Sequence, residues 1–178
     1  MSFRTPVAGL LTASLLLTGC LLTGCTAPAP RPVPDEVIKT ATQLLTDACL
    51  TRQGLTPPRP GQSPPPAPEQ QRVAAALFGG GRAELSIALP TGYVVRAHTD
   101  GCLAAAQRRL YGDQRAWFRA SVIVNNLKPE AARTQRSLAE VRARHRVEIA
   151  DWRRLRAHAL TGATALLDNH LPKGDPPS

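Results

Sequence analysis

The stretch HTDGCLAAAQRRLYGDQRAWFRASVIVNNL, residues 98–127, decides the fold. Thr99 or Asp100 can cap a helix, and Gly112 ends that helix two turns or more later. A second helix over 114–127 follows directly. Two amphipathic helices separated by so short a break predict a mainly α protein.

Helical periodicity continues on both sides of this stretch. Upstream, apolar residues at three- and four-residue steps predict a helix over 35–53. Downstream, Pro129 suits the first turn of the longest helix, where its missing N–H costs nothing. The apolar seam of that helix runs from Leu138 to Ala159 and can continue to Leu167. The sequence therefore predicts a small bundle of about four helices.

The segment between the first helix and the opening stretch is different in character. Seven prolines predict a disordered Pro-rich loop near 55–71, followed by one possible helical turn over 73–78. Alternating apolar residues around Pro90 predict a short β-hairpin near 83–97. We therefore expect 35–170 to be a single helical domain, interrupted by the Pro-rich loop.

The first residues have the composition of an export signal. Arg4 precedes an apolar run of about a dozen residues, 7–17, and small residues follow it. The run is too short to span a bilayer, which needs roughly 20 apolar residues. We expect residues 1–24 to be a signal peptide.

The stretch LLTGCLLTGC, residues 16–25, repeats a Leu-Thr-Gly-Cys unit. Each copy resembles the lipobox of bacterial lipoproteins, which implies that a diacylglycerol is attached to the cysteine. Cys25 is followed by a Pro-rich tether over 25–34, whereas Cys20 would give a shorter signal peptide, 1–19. The alternative is an ordinary signal peptide with incidental cysteines. The last residues, 171–178, have the composition of a disordered tail.

The charge balance favours an anionic partner. The chain has 22 basic and 13 acidic residues, a net charge of +9, and its mature form without Arg4 has +8. Anionic lipid or a wall polymer suits this charge. Nucleic acid does not suit it, because the chain has only seven aromatic residues and no platform for base stacking. Since 19 of the basic residues are Arg, part of the charge can also be compositional bias.

The predicted long helix contains the densest cluster of arginines. We predict an anionic-surface binding face from four of them: Arg142, Arg146, Arg153 and Arg156. The alternative is a solvated flank with local ion pairs, such as Glu140 with Arg144, each worth about 0.3 kcal/mol.

Cys49 and Cys102 remain after the anchor is assigned. Export permits a disulfide between them, and the alternatives are two buried thiols or a redox pair. A bridge across some fifty residues would stabilise the fold by about 4 kcal/mol. A third hypothesis makes Cys102 a nucleophile, with His98 as its base and Asp100 beside it.

Other chemical motifs are missing from the sequence. It has no zinc-ligand spacing, phosphate-binding loop or Gly-x-Ser-x-Gly elbow, so we predict no metal, no cofactor and no enzyme.

The opening stretch, with LLTDACLTRQGL upstream, resembles a group of actinomycete exported lipoproteins of unassigned function. The shared features are a lipobox, a Pro-rich tether and an Asp-Gly-Cys helix followed by Leu-Tyr-Gly-Asp. The resemblance implies a lipid-anchored protein at the extracytoplasmic face of the bacterial cell membrane. We predict a non-catalytic binding or structural module of the cell envelope. The alternative is a thiol-based enzyme or redox protein around His98, Asp100 and Cys102.

Overall fold

The computed structural model describes residues 33–170, which form six helices and one antiparallel hairpin. The elements in chain order are α1 Pro34–Arg52, α2 Ala67–Phe78, β1 Leu85–Ala88, β2 Val94–Ala97, α3 Cys102–Tyr111, α4 Gln114–Thr134, α5 Leu138–Arg144 and α6 Arg146–His170. The predicted mainly α class with a short hairpin is confirmed, with more helices than the expected four. The predictions for the signal peptide, nearly all of the tether, and the tail lie outside the described residues.

α2 begins earlier than predicted, so the Pro-rich loop ends at residue 66 instead of 71. Pro68 lies in the first turn of α2, where the absent N–H is harmless. Val73 is buried against Leu50 and Cys102, and this packing explains a helix of three turns instead of one. The prolines of 55–66 form an irregular segment, in which Arg59 is ion-paired with Asp47 of α1.

The hairpin matches the predicted strands and turn. β1 and β2 pair from Leu85 with Ala97 to Ala88 with Val94. In the connecting turn the Leu89 N–H donates to the Tyr93 carbonyl at 2.8 Å, and Gly92 has a φ of +90°, which glycine tolerates best. Leu89 and Leu85 are buried and attach the hairpin to the helices.

The start of α3 differs from the prediction. Its N-cap is Gly101, and neither Thr99 nor Asp100 caps it with a side chain. Gly101 packs so closely on the chain after α2 that a Cβ there would lie 2.6 Å from the Gly79 nitrogen and the Leu77 carbonyl oxygen. This close approach excludes any residue larger than glycine at position 101.

The predicted long helix is also wrong in its boundaries. α4 continues through Pro129 to Thr134, and Gln135 ends it in a left-handed conformation with a φ of +54°. α5 then starts after Ser137, which forms a capping box with Glu140. His145 separates α5 from α6, and α6 runs past the predicted end to His170.

Three apolar clusters hold these elements together. The largest joins α1, α3 and α6, with Ala41, Ala159 and Ala163 allowing the helices to approach closely. A second joins α1, α2 and α3 around Leu50. The third joins α4 and α5 around Val141, with Ile149 of α6 packed against it. As a result, α4 and α6 lie side by side and form the walls of the site described next.

Candidate binding groove

Cys49 and Cys102 form a disulfide bond, with their Cα atoms 5.7 Å apart. The bond links α1 to the first residue of α3 across the irregular segment. The Gln53 side-chain amide lies 3.3 Å from the Cys102 sulfur. With the bond intact, Cys102 has no thiol to act as a nucleophile, so the thiol hypothesis requires its reduction.

The other two residues of that hypothesis lie beside the glycine segment after α2. The His98 Nδ1 is 3.8 Å from the nearer Asp100 carboxylate oxygen, and it makes no hydrogen bond with the described residues. A Cβ at Gly79 would lie 2.6 Å from the His98 Cβ. His98 and Asp100 therefore pack against the glycine segment after α2, which leaves no room for a side chain at Gly79.

A surface groove has two adjoining cavities, one lined by aromatic residues and one by basic residues. The first, which we call the aromatic half, lies between α1, α3, α4 and α6. Its cavity has a volume of about 440 Å³ and is lined by both tryptophans of the chain, Trp117 and Trp152, and by Tyr111. The Trp117 ring stacks on the Tyr111 ring with centroids 3.7 Å apart. The side-chain amides of Gln107 and Asn125 also line the cavity.

Tyr111 is the buried member of this aromatic group. Burial raises the pKa of its phenol, and the nearby Asp35 carboxylate adds to the rise, while the Arg156 guanidinium opposes it. The hydroxyl therefore stays protonated at neutral pH and keeps a proton to donate.

The basic half of the groove lies between α4, α5 and α6. Its cavity, about 570 Å³, has an apolar floor and three cations. The floor residues are Val124, Leu127, Leu138 and Ile149, and the cations are Lys128, Arg142 and Arg153. Asn125 and Trp152 line both cavities, so the two cavities adjoin each other, and we refer to them together as the groove.

The four arginines predicted to bind an anionic surface do not act together. Arg142 and Arg153 line the basic half, and within residues 33–170 neither forms an ion pair. Arg146 is exposed at the start of α6, outside the lining of the groove. Arg156 is ion-paired with Asp35 and lies over the Trp152 ring, so its charge is already used. The predicted pair of Glu140 with Arg144 is replaced, since Glu140 caps α5 and Arg144 is paired with Glu130.

Lys128 is the cation that sequence reasoning missed. The predicted helix over 114–127 ends just before Lys128, and Pro129 after it is expected to begin another helix. Because α4 continues through Pro129, Lys128 instead lies on a helix face opposite Arg142 and Arg153.

A buried polar network lies beside the groove, beneath the hairpin. The Glu130 carboxylate, only 3% exposed as a residue, is 2.9 Å from the His145 Nε2. Glu148 lies on the other side of the same ring, 3.8 Å from its Nδ1, and accepts a hydrogen bond from Arg119 at 2.9 Å. Burial would raise the pKa of Glu148, but hydrogen bonds from its own backbone N–H and from Arg119, with the attraction of Arg119 and His145, together lower it.

This network ties α4, α5 and α6 together and lines a small cavity of about 200 Å³ under the hairpin. Sequence reasoning missed it because Glu130 and His145 are 15 residues apart. Only the αL turn at Gln135 brings them together.

A further cleft, of about 560 Å³, lies between the Pro-rich segment and α2. Its walls are mostly proline rings and the apolar side chains Val73, Leu77 and Phe78. The one guanidinium there, that of Arg59, is paired with Asp47. The cleft therefore offers less selective chemistry than the groove between α4 and α6.

Comparisons with known proteins found no matching family model, no matching curated protein and no matching solved structure. Among residues 33–170, no group of three or more His, Cys, Asp and Glu side chains is arranged to hold a metal ion. None of the described helices is long and apolar enough to cross a membrane.

Proposed function

We propose that the protein is a lipid-anchored, non-catalytic binding module at the extracytoplasmic face of the cell membrane, and that it binds an anionic wall polymer. The anchor is assigned from the sequence alone, to Cys25 or Cys20. The polymer site is the basic half of the groove.

The observation that carries this proposal is the convergence of Lys128, Arg142 and Arg153 on one apolar floor. Like charges placed together repel one another, and within the described chain no carboxylate pairs with any of the three. An anion bound between them would relieve that repulsion and gain charge-assisted hydrogen bonds.

The shape of the site favours a polymer over a bilayer. The three cations border a groove, and a flat array of headgroups cannot enter a groove as a linear chain can. The adjacent aromatic half extends the groove beyond the cations, which again suits an elongated ligand.

The test compares two variants in the full mature chain, kept in non-ionic detergent. R142Q/R153Q removes two groove cations, whereas R136Q/R154Q removes two exposed cations that do not line the groove. We expect binding of poly-L-glutamate to fall at least tenfold in the first variant and to change less than twofold in the second.

Raising the salt concentration should weaken binding of the wild-type chain to poly-L-glutamate. Equal losses in the two variants would show that only net charge matters and would reject the groove. Binding to vesicles with anionic lipid that is tighter than binding to the polymer would instead assign the cations to a membrane surface.

A further inference from the structure

Binding of an anion by the basic half does not account for the aromatic residues in the other half of the groove. Both tryptophans of the chain and Tyr111 lie on this surface, although the whole chain has only seven aromatic residues. Trp117 and Trp152 are both only half-buried. Large aromatic rings left partly open to water in a concave site are typical of a ligand contact.

Free polar groups accompany these rings. The amides of Gln107 and Asn125 make no side-chain hydrogen bond with the described residues. The Ser121 and Thr42 hydroxyls donate to backbone carbonyls within their own helices, so their oxygens can still accept. The aromatic half therefore offers partly exposed aromatic rings with hydrogen-bond donors and acceptors beside them.

A sugar ring has the complementary structure. One face of a pyranose carries C–H groups that pack on an aromatic ring, and its edge carries hydroxyl or amide groups that hydrogen-bond to side-chain amides. A peptide fits less well, because the walls are helices whose backbone groups are already bonded, and an extended peptide needs backbone partners.

We infer that the groove binds an anionic glycan across both halves. Neutral sugar units lie in the aromatic half against Trp117 and Trp152, and carboxylate or phosphate groups lie between Lys128, Arg142 and Arg153. Asn125 and Trp152, which line both halves, contact the junction between the neutral and the acidic units. This inference rests on the proposed function and specifies its ligand.

Three probes distinguish the contributions of the two halves in the full mature chain. A hyaluronan octasaccharide alternates an acidic sugar with a neutral N-acetylated one, N-acetylchito-octaose is neutral, and poly-L-glutamate is acidic without sugar. Isothermal titration calorimetry gives the affinities. We expect the acidic octasaccharide to bind at least tenfold more tightly than either other probe at equal concentration of binding units.

Substitutions in the aromatic half should then weaken binding of the sugar probe and leave binding of poly-L-glutamate unchanged. N125A should weaken binding of the acidic octasaccharide about fivefold, since it removes one hydrogen-bonding group, and leave poly-L-glutamate within twofold. N126A is the matched control, because Asn126 bonds to the Val122 carbonyl and does not line the groove. W117A should weaken sugar binding about tenfold; circular dichroism checks its fold, and N125A decides the result if W117A does not fold.

The outcomes separate the two proposals. If the acidic octasaccharide binds no better than poly-L-glutamate and N125A changes neither, the glycan inference is overturned while the proposed function stands. If neither acidic probe binds, the proposed function fails as well. Tighter binding of an acidic peptide with aromatic residues than of the octasaccharide would overturn the inference in favour of a peptide ligand.

Discussion

The Arg156 guanidinium carbon lies 4.5 Å from the centroid of the Trp152 ring, and the same guanidinium is ion-paired with Asp35 at the start of α1. This arrangement joins the two ends of the chain's helical part, because α1 begins the described region and α6 completes it. It also fixes the Trp152 ring within the groove. Arg156 is therefore a structural cation. Arg153, three residues earlier on the same helix, lines the basic half and is available to a ligand.

We expect R156A to reduce stability more than it reduces polyanion binding. The exposed ion pair contributes up to about 1 kcal/mol and the cation–π contact about 0.5–1 kcal/mol, so the free energy of unfolding should fall by roughly 1–2 kcal/mol. R153Q should show the opposite, with unchanged urea denaturation and weaker polyanion binding. If R156A weakens polyanion binding as much as R153Q does at a temperature where both are folded, Arg156 belongs to the ligand site.

The disulfide should be a major source of stability. Its 53-residue separation removes conformational entropy from the unfolded chain, so replacing both Cys49 and Cys102 by Ser should cost about 4 kcal/mol. Urea denaturation of C49S/C102S against the wild-type chain measures this loss. The wild-type domain should show no reactive thiol at these positions under denaturing conditions without reductant. One hyper-reactive thiol would instead revive the nucleophile hypothesis for Cys102.

The cysteine pair could be predicted because Cys49 and Cys102 remain after the anchor is assigned, and export permits a disulfide between them. The groove could not be predicted in the same way. Trp117 and Trp152 are 35 residues apart on different helices, and nothing in their local sequence indicates that they share a surface. Their proximity depends on how α4 and α6 pack, and Ile149 and Val141 decide that packing jointly with residues from α4.

The start of α2 and the end of α4 both differ from the prediction, and in both cases burial accompanies the longer helix. Local sequence rules place Pro68 inside a loop and Pro129 at the start of a helix. In the structure, burial of Val73 extends α2 toward Pro68, and burial of Glu130 with His145 accompanies the continuation of α4 past Pro129. Tertiary packing outweighed proline's local preference only at Pro129, since Pro68 occupies the first turn of α2, which suits proline.

Glu148 should make the fold sensitive to acid. Its pKa is lowered from the ordinary 4.5, so the carboxylate contributes stability above that pH and the contribution is lost as the pH falls through the lowered value. E148Q removes this dependence. The stability difference between wild type and E148Q should therefore be largest near neutral pH and should close below pH 4.5. Thermal denaturation across this range measures it, and a difference that stays constant with pH would contradict the role assigned to the carboxylate.

Pro129 should lower the stability of the fold, because it lies inside α4. It has no N–H to donate to the Asn125 carbonyl four residues earlier, at the junction of the two halves of the groove. P129A restores that donor and is expected to stabilise by roughly 2 kcal/mol, since the helix gain of about 3 kcal/mol is offset by up to about 1 kcal/mol from the freer unfolded chain. Urea denaturation measures the change.

A carbonyl freed of its helical partner is also an acceptor for a ligand hydroxyl at this junction. P129A should therefore weaken binding of the hyaluronan octasaccharide while leaving poly-L-glutamate binding unchanged, because glutamate side chains present no hydroxyl to donate. The matched control is P68A at the start of α2, because Pro68 does not line the groove. Equal losses of sugar binding in P129A and P68A would show that the Asn125 carbonyl takes no part in recognition.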